Sequence, residues 1–366
     1  MVSPIELASS AVTYKEYLMI TSLELHNFRG FKLMKLDGCP RFNIIVGPNA
    51  SGKTALLEAI FLASANSPEA ALRLRAWRGL AQQVEITPDK SSFSELWGDL
   101  FFWGVESKEL FVLLDDSERG SRKFSITYET KGELTLPIGK QPINSTIIAP
   151  LSFRWLSGGK ESIAEVEISE KGMKIGTVPA LFPAVFVSSS HVISTHENAS
   201  RYSRLSQAGK ELDFLNTLQA IYPFIRGLSI ELNAGVPAIF ATVEGVAKKI
   251  PIPLLGGGIN KYLGILLGIQ YAAGGVALID EMENGFFYKS LPQVWYGVVK
   301  ACLETNTQVF LTTHSLECLR AALPTIKGNE NQFSLIRMER REGQCVPRVF
   351  TGHEFAAAIE QEIEFR

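Results

Sequence analysis

One short segment constrains the fold of this chain more than any other. The apolar run at 42–46 enters a glycine loop, and apolar residues at helical spacing follow at 54–63. A buried strand, a glycine loop and a helix together form a phosphate-binding unit. The loop consists of Gly47, Pro48, Asn49, Ala50, Ser51, Gly52, Lys53 and Thr54. These residues match a P-loop at every fixed position, so the segment predicts a nucleotide-binding α/β fold.

The residue types in this loop suit phosphate chemistry. Gly47 and Gly52 permit backbone angles in which successive N–H groups point inward, and the helix adds its positive N-terminal end. Lys53 is expected to reach the β- and γ-phosphates, and the Thr54 hydroxyl is expected to bind Mg²⁺. ATP and Mg²⁺ are therefore the predicted ligands.

A second apolar run, at 276–279, ends in the carboxylates Asp280 and Glu281. Open α/β sheets bind ligands at the carboxyl ends of their strands. We expect Asp280 to hold Mg²⁺ through water and Glu281 to orient or deprotonate the attacking water. Glu283 is a second candidate for the base. The alternative is an ordinary helix N-cap, a position that Asp favours.

His314 follows a third apolar run, at 308–312. Its position at the end of a neighbouring strand predicts a hydrogen bond to the γ-phosphate. The alternative is a structural histidine with a satisfied hydrogen bond.

Hydrophobic patterning divides the rest of the chain. The last third alternates strands and helices, which predicts a parallel sheet covered by helices. The region at about 93–187 alternates with period two and predicts antiparallel strands. A single helix is expected at 199–221. The predicted fold class is thus α/β, with a mixed or parallel sheet flanked by helices and an antiparallel β-rich subdomain.

Charge and cysteine content limit the expected partners and cellular location of the protein. The 366 residues carry a net charge of −2, whereas a protein that coats nucleic acid is usually basic. The four cysteines form no CxxC pair and are expected to be reduced thiols in a cytoplasmic protein. Residues 1–18 contain no signal-peptide pattern and are expected to form a tail. No apolar run reaches membrane-spanning length, so no membrane partner is expected.

Together, the P-loop, the Asp280-Glu281 pair and His314 resemble an ABC-class ATPase head. The chain is more narrowly similar to the AAA15 group, which is related to OLD, RecF and Rad50/SMC ATPases. The similar segments are Leu23-Glu24-Leu25-His26-Asn27-Phe28-Arg29-Gly30-Phe31, Asp280-Glu281-Met282-Glu283-Asn284-Gly285 and Ile363-Glu364-Phe365-Arg366. This resemblance implies one ATP-hydrolysing ABC-type domain at 19–366. It would contain a β-rich insert at 93–190 and a lobe at 250–366 with the signature, Walker B and switch elements.

ABC heads complete a partner's site with a signature motif before a helix. Leu156-Ser157-Gly158-Gly159-Lys160 resembles it literally, but it lies too far upstream of Asp280 and precedes a strand pattern, so we expect a turn. Leu255-Gly256-Gly257-Gly258-Ile259-Asn260-Lys261 is better placed before an apolar helix. Gly256, Gly257 and Gly258 are therefore expected to bind a γ-phosphate across a dimer; the alternative is a plain loop.

The sequence also departs from the pattern of this group at two positions. The signature lacks its usual Ser, and Phe287 stands where the group often has His, so no role is assigned to Phe287. Arg29 resembles a basic residue that contacts nucleotide in Rad50-like heads. Gln207 is one candidate for a Q-loop glutamine.

The resemblance implies an ATP-dependent homodimer that regulates a partner, such as a separately encoded nuclease or effector, in genome maintenance or anti-phage defence. A RecF-like DNA-binding repair ATPase is an alternative, supported by the basic stretch at 72–78, which includes an aromatic residue. The opposing interpretation of that stretch is a solvated helix face. A transporter nucleotide-binding subunit is a further alternative, disfavoured by the opening motif.

Overall fold

The computed structural model describes residues 19–80, 95–104, 109–117, 120–128, 147–148, 151–169, 172–179, 182–190 and 193–361. The tail expected at 1–18 and the similar segment at 363–366 lie outside these described residues.

The described strands, in chain order, are β1 (Ile20–Phe28), β2 (Phe31–Asp37), β3 (Phe42–Val46), β4 (Glu109–Asp116), β5 (Gly120–Tyr128), β6 (Ile147–Ile148), β7 (Leu151–Ser157), β8 (Lys160–Ala164), β9 (Val166–Ser169), β10 (Gly172–Ile175), β11 (Ala184–Val187), β12 (Ile225–Asn233), β13 (Val236–Val243), β14 (Ile250–Pro251), β15 (Val276–Ile279), β16 (Gln308–Thr312), β17 (Phe333–Arg341) and β18 (Gln344–Thr351). The described α-helices are α1 (Lys53–Ser64), α2 (Glu69–Trp77), α3 (Thr195–Gln207), α4 (Glu211–Gln219), α5 (Ile252–Leu255), α6 (Gly257–Tyr271), α7 (Leu291–Thr305), α8 (Leu316–Ile326) and α9 (Gly352–Glu360).

The central sheet has six strands in the order β11-β15-β16-β3-β17-β18. Its first five strands are parallel, and β18 pairs antiparallel with β17 at one edge. Strands β3, β15 and β16 are buried at every position, as strands covered on both faces must be. The predicted parallel sheet is therefore present, and it brings the carboxyl ends of β3, β15 and β16 together.

A second six-stranded sheet, β2-β1-β4-β5-β7-β8, is antiparallel throughout. Buried and partly exposed residues alternate along β4, because one face of the sheet packs on the core. The antiparallel region predicted in the middle of the chain is thus observed. Its sheet also includes the N-terminal hairpin β1–β2, which the sequence pattern alone did not assign to it.

Helix α1 lies between the two sheets. It is apolar around most of its circumference, as a helix buried on all sides must be, and Leu56, Leu57 and Ile60 are completely inaccessible. The same hydrophobic core joins α1 to residues of β1, β4, β5 and β7 and to one face of the central sheet. A second core on the opposite face contains the apolar sides of α6, α7 and α8. The layers therefore hold the N-terminal end of α1 against the carboxyl edge of the central sheet.

The helix expected at 199–221 is observed as two helices. Ser194 caps the earlier start of α3 by accepting a hydrogen bond from the Glu197 amide. Gly209, with φ of 69°, ends α3 and allows the chain to turn into α4. Strands β12 and β13 follow α4 and pair as an antiparallel hairpin.

All four cysteines are buried free thiols, as expected. Among the described residues, no helix combines the length and the apolar character that crossing a lipid bilayer requires.

Candidate active site

The P-loop connects β3 to α1, and its two glycines are required sterically. Gly47 has φ of 138°, and a Cβ atom there would lie 2.2 Å from the Met338 carbonyl oxygen. Gly52 has φ of 93°, and a Cβ there would lie 2.7 Å from the Phe31 ring. The loop therefore packs closely against β2 and β17, which holds its backbone in place.

The Lys53 side chain folds back onto the P-loop residues that precede it. Its ammonium group donates hydrogen bonds to the carbonyl oxygens of Gly47 and Pro48, both at 2.8 Å. Burial lowers the pKa of Lys53, and the nearby carboxylates of Asp280, Glu281 and Glu283 oppose that shift. Within the described residues, the hydrogen bonds of this buried cation thus go to neutral carbonyl oxygens.

Asp280 forms the centre of a polar cluster at the end of β15. Its Oδ1 accepts hydrogen bonds from the hydroxyls of Thr54, at 3.0 Å, and Thr312, at 2.7 Å. Its Oδ2 accepts a hydrogen bond from the Ser189 hydroxyl at 2.8 Å. Three neighbouring strand ends and the start of α1 therefore converge on one carboxylate.

Sequence reasoning did not assign a role to Ser189. The available signal was the run of three serines at 188–190 directly after the buried strand β11. Gln207, considered as a Q-loop residue, lies elsewhere: it is exposed at the end of α3 and donates a hydrogen bond to Ser203.

The oxygen atoms around Asp280 are suitable ligands for Mg²⁺. Carboxylate and hydroxyl oxygens are hard ligands, and Mg²⁺ usually takes only one or two carboxylates from the protein. Within the described part of the chain, no three His, Cys, Asp or Glu side chains come together as a metal cage. A single carboxylate with the Thr54 hydroxyl instead suits an ion that also binds nucleotide phosphates.

Glu281 adopts an unusual backbone conformation, with φ of 46°. Its amide donates to the Thr312 hydroxyl at 2.8 Å, and its carbonyl accepts from the Lys261 ammonium at 2.6 Å. Its carboxylate also accepts a hydrogen bond from the Asn284 amide group. These contacts hold a left-handed conformation that non-glycine residues seldom adopt, and they fix where the Glu281 side chain starts.

Lys261 is the second residue whose contact sequence reasoning did not anticipate. It lies one turn into α6, and burial lowers its pKa, although the carboxylates of Glu283, Asp280 and Glu281 oppose the shift. A lysine at this position joins the start of α6 directly to the turn that carries Glu281.

His314 and Glu283 are neighbours at the ends of β16 and β15. The His314 amide donates a hydrogen bond to Glu283 Oε1 at 2.8 Å. Glu283 therefore already serves as an acceptor for the main chain, whereas the side chains of Glu281 and His314 both line the cavity beside the P-loop.

This P-loop cavity has a volume of about 760 Å³. Its walls include the P-loop from Asn49 onward together with Glu281 and His314. Arg29, Arg78, Asp99, Trp103 and Cys345 also line it. Several residues predicted from sequence to form one site thus line one cavity.

Arg29 reaches the cavity as part of a charged cluster. Its Nε lies 3.1 Å from Glu58 Oε2, and burial lowers its pKa while the Glu58 charge opposes that shift. Arg78 donates to both oxygens of the same Glu58, at 2.7 and 2.9 Å. Arg75 pairs with Asp99 at 2.5 Å.

The charged cluster corrects one interpretation of the basic stretch at 72–78. Arg75 and Arg78 pair with acidic side chains beside the P-loop cavity, and Arg73 pairs with Glu69 on α2. The stretch is therefore neither a free basic surface for nucleic acid nor simply a solvated face.

The two glycine motifs have different structural roles. Gly158 and Gly159, with φ of 56° and 77°, form the turn between β7 and β8 at the edge of the antiparallel sheet, as expected. Gly257 instead opens α6, and Gly256 precedes it with φ of 136°. A Cβ on Gly258 would lie 2.4 Å from the Gly285 carbonyl oxygen, so the loop packs on the turn after β15.

Gly256, Gly257 and Gly258, here called the signature loop, are absent from the lining of the P-loop cavity. Gly256 and Gly257 are exposed, and a Cβ on either would meet no atom within 4 Å. Phe287, to which no role was assigned, is 64% exposed. Gly256 and Gly257 are therefore exposed outside the lining of the P-loop cavity of their own chain.

Comparison with known proteins adds independent information. A family model described as AAA ATPase domain matches residues 19–175. An ATP/GTP phosphatase from Helicobacter pylori is 24% identical over 382 residues, covering 94% of this chain and 99% of that protein. The DNA replication and repair protein RecF of Staphylococcus epidermidis is 24% identical over 197 residues, covering 54% of this chain and 47% of RecF.

A shorter match joins the chain to RecF of Moorella thermoacetica, 55% identical over 51 residues, or 14% of each protein. Among solved structures, an SMC head bound to the C-terminal winged-helix domain of ScpA aligns with a TM-score of 0.48 and 14% identity, covering 91% of this chain and 98% of that one. The SMC head of Thermotoga maritima aligns with a TM-score of 0.42 and 14% identity, covering 90% and 98%.

Proposed function

We propose that this chain, an ATPase of the AAA15 type within the ABC class, hydrolyses ATP in a site that two copies complete together. The observation that carries the proposal is the separation between the P-loop cavity and the signature loop. Gly256 and Gly257 lie exposed at the start of a 15-residue helix, outside their own cavity. Free amides at such a helix start suit a phosphate from outside the chain.

Within one copy, the P-loop amides and Lys53 bind the phosphates of ATP. Lys53 would exchange its two carbonyl partners for phosphate oxygens, so binding replaces neutral acceptors with charged ones. Thr54 and Asp280 would hold Mg²⁺, which supplies neutralisation of the charge on the phosphate oxygens. The clustered hydroxyls of Thr312 and Ser189 keep the Asp280 carboxylate in position.

Hydrolysis requires an oriented water molecule. Glu281 lines the P-loop cavity and is held through its main chain, so its carboxylate is our candidate for orienting or deprotonating that water. Glu283 is absent from the lining of that cavity, and its carboxylate accepts a hydrogen bond from the His314 amide, which makes it the weaker candidate. His314 would hydrogen-bond the γ-phosphate, and Arg29, which lines the same cavity, would contact the nucleotide.

ATP would hold two copies of the chain together as a dimer. Each P-loop cavity would receive the signature loop of the partner in a two-fold arrangement, since a loop exposed outside its own cavity can act only on another molecule. Hydrolysis removes the shared γ-phosphate contact and would release the dimer. The resulting change would be passed to a partner, such as a separately encoded nuclease or effector, in genome maintenance or anti-phage defence.

A RecF-like role on DNA is the second candidate. It is favoured by the matches to RecF, a protein of DNA replication and repair. The name of the Helicobacter pylori relative, ATP/GTP phosphatase, extends the proposed substrates to GTP. A role on DNA and the use of GTP would both leave the proposed hydrolysis chemistry of the site unchanged.

The Glu281→Gln variant tests the proposal. Gln keeps the size and hydrogen bonding of Glu281 but lacks a basic carboxylate, so the variant should bind ATP with Mg²⁺, hydrolyse it very slowly and accumulate as a dimer. Size-exclusion chromatography with light scattering, with and without ATP, measures this. The matched control is Glu304→Gln on the exposed side of α7, which should behave as the wild type. A Glu281→Gln variant that stays monomeric at saturating ATP contradicts the shared site, and full hydrolysis moves the base role to Glu283 or His314.

A further inference from the structure

Trp103 is far more exposed than three of the four other tryptophans of this chain. Its surface is 55% exposed, whereas Trp97, Trp155 and Trp295 are at most 2% exposed. Its backbone is left-handed, with φ of 49°. A bulky residue in this conformation is strained, and such strain is found most often at functional sites. Both the exposed ring and the strained backbone therefore need an explanation.

Trp103 is held directly beside the proposed nucleotide site. Its amide donates a hydrogen bond to the Arg29 carbonyl at 2.9 Å, and the Arg29 amide in turn donates to the Leu100 carbonyl at 2.8 Å. The Arg340 guanidinium lies 5.1 Å from the centre of the Trp103 ring, within the range of a cation–π contact. The ring is thus positioned from two sides although it is largely exposed.

Trp103 also lines the P-loop cavity, together with the P-loop residues that would hold the phosphates. A cavity of about 760 Å³ is large enough for a whole nucleotide, because small-molecule sites typically measure about 300–1,000 Å³. With the triphosphate held at Lys53 and Thr54, the rest of the ligand needs an apolar surface in the same cavity. Trp103 is the large exposed aromatic side chain among the residues that line it.

We propose that Trp103 is the platform on which the nucleobase stacks, an inference that rests on the proposed triphosphate site at the P-loop. Stacking uses the flat face of a base, which every base has, and therefore discriminates poorly between bases. The lining residues on either side in the chain, Phe101 and Gly104, carry no polar side-chain group. Stacking on Trp103 therefore favours neither adenine nor guanine nucleoside triphosphates.

The Trp103→Ala and Trp103→Phe variants separate base stacking from phosphate binding. Trp103→Ala should raise KM for ATP and for GTP by a similar factor of about ten, in the range that stacking on an aromatic ring contributes. Inorganic tripolyphosphate has no base, so its inhibition constant should not change. Trp103→Phe keeps an aromatic face and should stay within about threefold of the wild type.

Fluorescence provides a second measurement. Trp97, Trp155 and Trp295 are buried and Trp77 is partly exposed, so the difference in acrylamide quenching between the wild type and Trp103→Phe should report on Trp103, and ATP should reduce the quenching of Trp103. This protection should disappear in Trp103→Phe, while tripolyphosphate should protect neither protein.

Two results overturn the inference. If Trp103→Ala weakens tripolyphosphate as much as ATP, the residue supports the loop rather than the base. If its KM values equal those of the wild type, the base lies elsewhere. A wild-type chain that binds neither ATP nor tripolyphosphate would instead remove the proposed function, and the Trp103 platform with it.

Discussion

At the scale of single residues, the site depends on a few buried charges with defined partners. Lys53, Lys261 and Asp280 each contact main-chain carbonyls or hydroxyls that lie at the ends of strands or in the P-loop. Charged groups of this kind are costly to bury alone, so each is expected to matter through the partner that it serves.

Lys53→Ala should abolish most ATP affinity. Removal of a buried cation from a phosphate site costs about 3 kcal/mol, or about a hundredfold in Kd. Calorimetric titration with a non-hydrolysable ATP analogue measures the loss. Lys249→Ala, which removes an exposed lysine paired with Glu231, is the matched control and should bind normally. Unchanged affinity in Lys53→Ala would rule out the P-loop as the nucleotide site.

Lys261→Met should lower kcat while leaving KM for ATP near the wild-type value. Met fills a similar volume but cannot donate to the Glu281 carbonyl, so the left-handed backbone of Glu281 loses one of its supports. We expect a decrease of about 10- to 100-fold, equivalent to about 1.4–2.7 kcal/mol in the barrier. Steady-state kinetics measures both constants.

The controls for Lys261 distinguish positioning from folding. Lys261→Arg retains a donor and should recover part of kcat, whereas Lys300→Met removes a half-buried lysine of α7 that pairs with Glu304 and should change neither constant. If kcat is unchanged in Lys261→Met, or falls together with thermal stability, a positioning role for Lys261 is excluded.

At the scale of elements, similar glycine sequences occupy different environments. Gly158-Gly159 turns between two antiparallel strands, where left-handed angles are needed. Gly257 begins a helix and has helical geometry with open space around it. The element that follows each motif, a strand or a helix, therefore decides which of them can present amides to a phosphate.

The Gly159→Asp and Gly257→Asp variants compare the two motifs. Asp at Gly257 should leave folding intact, because an acid is favourable in the first turn of a helix and no atom lies within reach of its Cβ. It should nevertheless abolish ATPase activity, since its charge repels the γ-phosphate of a partner. Gly159→Asp should retain nearly normal activity. Phosphate-release assays at equal protein concentration give the answer, and an exchange of the two phenotypes would place the signature at Gly158-Gly159.

At the scale of the whole molecule, charge limits the interactions with nucleic acid. The net charge is −2, and the basic stretch on α2 is largely paired with Asp99, Glu58 and Glu69. Binding to duplex DNA depends mainly on free cations that displace counterions from phosphates. The chain by itself therefore lacks, on α2, the surface that would support a RecF-like role.

The isolated chain should bind duplex DNA no more tightly than a Kd of about 10 µM at physiological salt, with a shallow dependence on salt. Fluorescence anisotropy over a salt series tests this, with and without ATP. The Glu281→Gln variant should be included because a dimer combines two surfaces. Nanomolar affinity with a steep salt dependence would favour the RecF-like candidate over regulation of a protein partner.

The sequence by itself determined the local features of this protein. The P-loop, the strand before it and the helix after it are contiguous in the sequence. Two glycines determine the loop conformation, and the spacing of apolar residues predicts the strand and the helix. The acids after β15 and His314 after β16 could be expected at one sheet edge for the same reason. The resemblance to the AAA15 group agrees with the family match over residues 19–175, which contains the P-loop, and the similarity to an ATP/GTP phosphatase supports the assignment as an ATPase.

Only the tertiary structure decided which distant residues meet. Ser189 and Asp280 are 91 residues apart, Thr54 and Asp280 are 226 apart, and both pairs form hydrogen bonds because three strand ends lie side by side. The pairing of Arg78 with Glu58, the inclusion of β1–β2 in the antiparallel sheet and the exposed start of the signature loop likewise depend on packing. No local pattern encodes such contacts, because each depends on where two separate elements are placed by the cores between the layers.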